Sequence, residues 1–167
     1  MHVRELAALA RGLDVAAFER QMGPFALMQR PPPESWLEYS TSGDITTSPN
    51  PALQLKSPPA AIDFGDLLVT LLPPPKSDGS LELIVGRAPD CELIVEDTHV
   101  SKRHAVIRWS GSAGVISELG SANGTFIGGH RMKDSWTLRD GEEISFGKSH
   151  FTYLLAASLH GRLRALR

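Results

Sequence analysis

Residues 80–127 read SLELIVGRAPDCELIVEDTHVSKRHAVIRWSGSAGVISELGSANGTFI. Short runs rich in β-branched and aromatic residues follow one another here: Glu82–Gly86 (ELIVG), Glu92–Val95 (ELIV), His104–Trp109 (HAVIRW), Gly114–Leu119 (GVISEL) and Gly124–Ile127 (GTFI). Polar and apolar residues alternate along them, and turn formers such as Ser110-Gly111-Ser112 separate them. That is the signature of half-buried strands. Working outward, Asp66–Leu72 (DLLVTLL), Glu142–Phe146 (EEISF) and His150–Leu155 (HFTYLL) repeat the pattern. No helix long enough for a parallel crossover lies between these runs. The expected class is therefore all-β, an antiparallel β-sandwich.

Proline divides the chain, since every proline except Pro89 precedes residue 76. Val3, Leu6, Ala7 and Ala10 recur at helical spacing, and Asp14 is a plausible N-cap for a second short helix stopped by Gly23-Pro24. Residues 1–30 are thus expected to form a short helical N-terminal extension, and the Pro/Ser/Thr-rich residues 31–63 an extended linker. The sandwich is assigned to 64–156, and residues 157–167 to a basic tail or short helix.

The 167 residues carry 17 Lys and Arg against 19 Asp and Glu, a formal charge of −2. Such a balance argues against a nucleic-acid-coating protein, which needs a basic excess. No apolar run approaches the roughly 20 residues of a bilayer span. No secretory signal is apparent at the N-terminus, and the lone Cys91 cannot form an internal disulfide. A cytoplasmic location is the expectation, with neither nucleic acid nor membrane as partner.

Four clusters interrupt the strand pattern: Gly86-Arg87, Ser101-Lys102-Arg103-His104, Gly120–Thr125 (GSANGT) and Asp140–Glu143 (DGEE). Loops of a sandwich gather at its two ends, so residues distant in sequence can converge. Arg87, Ser101, Lys102, Arg103 and Asn123 would together offer fixed positive charge, a hydroxyl and an amide. That set suits holding a phosphate or carboxylate, not breaking a bond. A metal site built from His99, His104 and Cys91 lacks paired-ligand spacing. Ser101 and His104 lie close, yet no nucleophile elbow surrounds the serine. The expectation is a non-enzyme without metal or cofactor.

In order and spacing, Leu83–Arg87 (LIVGR), Val100–Ala105 (VSKRHA), Leu119–Phe126 (LGSANGTF) and Leu138–Gly147 (LRDGEEISFG) resemble the forkhead-associated (FHA) domain. The resemblance covers about Phe64 to Leu155. It implies a sandwich of about eleven strands whose loops bind phosphothreonine in an extended peptide. It further implies that Arg87, Ser101 and Lys102 cradle the phosphate while Asn123 holds the adjacent peptide backbone. His104 would brace the binding loop from behind, with Gly86 and Gly124 serving backbone geometry. Arg103 stays open between ligand contact and solvated charge. The chemistry agrees, because a phosphothreonine brings about −1.5 to −2 charge and three acceptor oxygens, and an arginine fork meets two of them at once.

Two residues depart from the family pattern. Ala122 stands where many members have a threonine or serine, and Gly128 where asparagine is common. The leading expectation is an adaptor that reads phosphothreonine proteins or peptides in bacterial Ser/Thr kinase signalling, with a kinase or its substrates among the partners. The alternative is an FHA-fold scaffold that binds an unphosphorylated partner in a signalling or secretion assembly. Thr41, Thr46 and Thr47 are candidate phosphorylation sites, since some bacterial FHA proteins fold a phosphorylated N-terminal threonine into their own pocket. An ordinary linker is the simpler reading of those three.

Overall fold

The structure is a computed structural model, and residues 3–30, 68–70, 72 and 75–166 are described. The linker threonines Thr41, Thr46 and Thr47 lie outside the described residues. In chain order the elements are α1 (Val3–Gly12), α2 (Val15–Met22), β1 (Phe25–Arg30), β2 (Leu68–Val69), β3 (Ser80–Gly86), β4 (Leu93–Ile94), β5 (Ala105–Ser110) and β6 (Gly114–Glu118). They continue with β7 (Thr125–Ile127), β8 (His130–Arg131), β9 (Ser135–Thr137), β10 (Glu143–Phe146), β11 (Ser149–Leu155) and α3 (Ala156–Ala165). None of the described helices is long and apolar enough to cross a membrane.

Two sheets face each other, ordered β2-β1-β11-β10-β7-β8 and β4-β3-β5-β6-β9. Pairing is antiparallel except between β3 and β4, which run parallel. Period-two alternation sets the inner face: Leu81, Leu83 and Val85 of β3 and Ala105, Ile107 and Trp109 of β5 are all buried. Opposite them Ile144, Phe146, Phe151 and Tyr153 complete the core. On the outer face Glu82 and Arg108 stand directly across the β3–β5 ladder and form an ion pair of 2.8 Å.

The N-terminal segment corrects the sequence reading. Residues 1–30 were expected to form a helical extension, yet Phe25–Arg30 is a strand inserted between β2 and β11. Phe25 and Leu27 point into the sandwich, while Ala26 and Met28 join a second core on the far side. A strand covered on both faces reads as an unbroken apolar run, which hides its period. The covering layer consists of the three helices: Val3, Leu6, Ala7 and Ala10 of α1, Phe18 and Met22 of α2, and Leu159 and Leu163 of α3 are buried there. Asp14 caps α2 by accepting the Ala17 N–H at 2.7 Å. His160 of α3 lies against the Phe18 ring and donates through Nε2 to the Leu13 carbonyl at 2.9 Å.

Asp140 of the Asp140–Glu143 cluster serves this architecture. Leu155 precedes α3 and supplies no side-chain cap. Asp140 does so from the β9–β10 turn, accepting the Leu155 N–H at 2.7 Å and the Ser158 hydroxyl at 2.6 Å.

Candidate phosphopeptide-binding site

Three loops meet at one end of the sandwich: β3–β4, β4–β5 and β6–β7. The β3–β5 ladder extends into the first two, with His104 N–H bonding the Val85 carbonyl (2.8 Å), Arg87 N–H the Ser101 carbonyl (3.0 Å) and Ala88 N–H the Lys102 carbonyl (3.0 Å). This close approach needs glycine at 86. A Cβ there would lie 2.8 Å from the Lys102 carbonyl carbon and 2.9 Å from Cys91 Sγ, and nearer still to the Lys102 oxygen. The sulfur itself donates to that oxygen at 3.2 Å, and burial pushes the Cys91 thiol pKa up.

Arg87 is exposed at the rim. Its Nε donates to the Val100 carbonyl at 3.2 Å, which orients the fork and leaves both terminal nitrogens uncommitted among the described residues. Ser101 Oγ accepts the Ala122 N–H at 3.0 Å. A hydroxyl oxygen that already accepts keeps its proton for a ligand, and the bond polarises it to donate better. The missing side chain at Ala122 therefore removes a hydroxyl but not the tie between the two loops. Asn123 donates through Nδ2 to the His99 carbonyl at 2.7 Å, so its Oδ1 and second amide hydrogen remain for a peptide backbone.

His104 ties these loops together from beneath. It is wholly buried and packs edge-on against Phe146. Nδ1 accepts the Ser101 backbone N–H at 3.1 Å, which places the ring proton on Nε2, 3.1 Å from the Gly124 carbonyl. The imidazole thus engages the serine backbone and not its hydroxyl, so it cannot act as the base of a nucleophile. Gly124 has φ +82° and no space for a Cβ beside Arg131. Lys102 is exposed. Arg103 pairs with Asp90 at 3.1 Å, both side chains being more than half exposed.

Two acids that the sequence reading did not single out hold the loops in shape. Glu118 Oε1 accepts the Leu119 and Ser121 N–H groups at 3.2 and 3.1 Å, and Oε2 accepts Thr125 N–H at 2.8 Å. Asp97 Oδ1 takes the His99 N–H (2.8 Å) and ring Nδ1 (3.0 Å), while Oδ2 takes the Lys148 N–H at 2.7 Å. Burial pushes both carboxyls up, but the hydrogen bonds outweigh it and leave each below its ordinary value. A carboxyl depressed in the folded state stabilises above its unfolded pKa and loses that contribution as pH falls through the folded value. Stability should therefore drop as pH falls below about 4.5 and continue to drop through the Asp97 range, whose ordinary value is 3.8. Urea unfolding at pH 7 and pH 3.5 checks this. Glu118→Gln should be weaker at pH 7 with a shallower acid loss, whereas an unchanged slope would contradict the assignment.

A family model described as the FHA domain matches residues 83–147. The FHA domain of FhaA, solved in complex with the intracellular domain of Rv3910, is 36% identical over 43% of this chain and 78% of that one, with a TM-score of 0.42. The chain belongs to the FHA-domain family. This FHA domain is also 35% identical to the transcriptional regulatory protein EmbR of Mycobacterium tuberculosis across 77 residues, 46% of this chain and 20% of EmbR. EmbR has been solved with a low-affinity phosphopeptide, at 33% identity and a TM-score of 0.45. The FHA domain of CT664 from Chlamydia trachomatis shares the fold at 19% identity, covering 79% of this chain and 97% of that one with a TM-score of 0.50. The match thus spans only a fifth of EmbR.

Proposed function

We propose that this FHA domain is a phosphothreonine-peptide-binding adaptor of Ser/Thr kinase signalling in the cytoplasm of a bacterium, a binding module and not a catalyst. The observation that carries this reading is the bracing of Arg87, Ser101 and Asn123 by bonds to neighbouring backbone at one end of the sandwich. Arg87 meets two phosphate oxygens with its fork, Ser101 donates to a third, and Lys102 adds charge at the rim. Asn123 holds the peptide backbone beside the phosphorylated residue. These groups are preorganised by contacts within the protein, so little ordering cost falls on binding. The phosphopeptide complex of the EmbR relative supports the same reading. Residues 64–156 are proposed as the binding domain, to which β1 adds a strand.

Titration with paired threonine peptides, with and without phosphate, tests the proposal. The phosphorylated member should bind at least tenfold tighter, in line with roughly 1.5–3 kcal/mol for a hydrogen bond to a charged group. In Asn123→Ala both members should weaken, because the amide reads peptide backbone. Equal affinity of the wild-type protein for the pair would instead identify a scaffold for an unphosphorylated partner.

A further inference from the structure

The β7–β8 hairpin returns a second arginine to the recognition loop. Phe126 pairs with Arg131, and Met132 N–H bonds the Thr125 carbonyl at 2.9 Å. Ile127 is buried in the sandwich, so Phe126 and its cross-strand partner Arg131 stand on the opposite face. The Arg131 guanidinium lies against Gly124: a Cβ at that position would sit 3.0 Å from its Cζ and Nη2, and closer to Nε. Gly124 directly follows Asn123, and its carbonyl is the one His104 holds. An exposed guanidinium therefore abuts the loop that presents the backbone-reading amide.

The Arg131 charge has no carboxylate partner among the described residues, although the chain as a whole is acidic by two charges. Arg103 and Arg108 have carboxylate partners in Asp90 and Glu82. A guanidinium offers carboxylate or phosphate oxygens a planar fork. We propose that Arg131 forms a second anion seat beside Asn123, so that the domain prefers phosphothreonine segments carrying a further acidic group nearby. This inference rests on the phosphothreonine reading above. An extended peptide advances about 3.3 Å per residue, and an arginine side chain spans about two such steps. The second anion, a side-chain carboxylate or a second phosphate, accordingly lies within about three residues of the phosphothreonine.

The test uses the full chain and a phosphothreonine peptide with alanine flanks. Variants carry one glutamate at each of three positions on either side, or a second phosphothreonine at those positions. At low ionic strength one position should tighten binding by roughly 1.5- to fivefold, and the gain should shrink in high salt. Arg131→Gln should abolish that gain yet bind the alanine-flanked peptide as the wild type does; Arg131→Lys should retain part of it. A gain from the second phosphate alone assigns the seat to phosphate, and one from glutamate to carboxylates as well. No gain at any position, or a gain that survives in Arg131→Gln, overturns the second seat while leaving the first reading standing. Failure of the wild type to favour the phosphorylated parent overturns both.

Discussion

Replacing Arg87 by alanine is expected to lower affinity for a phosphothreonine peptide by about 30- to 1000-fold. Two charge-assisted hydrogen bonds are lost together, and truncating one member of a bound charge pair costs about 2–4 kcal/mol. The thermal unfolding midpoint should stay close to wild type. Arg87 is exposed, and among the described residues its side chain bonds the Val100 carbonyl alone, through Nε. The unphosphorylated peptide should bind both proteins alike. Arg87→Lys should recover charge but not the bidentate geometry, and so remain well below wild type. Isothermal titration of the three proteins reads this directly. If Arg87→Ala retained full phosphate-dependent affinity, the anion seat would have to be sought elsewhere.

The second large effect falls on stability. His104→Ala removes a wholly buried ring and leaves a cavity beside Phe146. It also strands the Ser101 N–H and the Gly124 carbonyl, at about 1–3 kcal/mol for each buried group left unpaired. A loss of about 3–5 kcal/mol is expected, a large part of the roughly 5–15 kcal/mol that a domain of this size possesses. Urea denaturation at pH 7 measures it. Phosphopeptide affinity should also fall at temperatures where the variant stays folded, because the β4–β5 and β6–β7 loops lose their common tie. A loss below about 1 kcal/mol would show that the histidine is not the brace described here.

Residue types and short spacings carried much of the candidate site. Arg87, Ser101 and Asn123 were legible because turn glycines and small polar residues interrupt strand alternation around them. Their convergence followed from the way sandwich loops gather at an end. Glu118 and Asp97 gave no such signal. Each is an ordinary acid at the end of a strand or in a loop, and its role depends on which N–H groups the fold brings within reach. Arg103 shows the same limit from the other side. Its ion-pair partner, Asp90, sits 13 residues away on another loop, a contact that local sequence does not announce.

Local alternation and turn chemistry by themselves determined an all-β sandwich and the candidate set of loop side chains, because period-two burial and glycine geometry are properties of a few adjacent residues. Tertiary structure alone decided that Phe25–Arg30 is a strand, that three helices form a third layer over β1 and β11, and that the Arg131 guanidinium lies against Gly124. A strand buried on both faces shows no period, and two-residue strands such as His130–Arg131 are too short to show one. Their places are set by pairing partners far along the chain. Only the folded backbone brings those partners together.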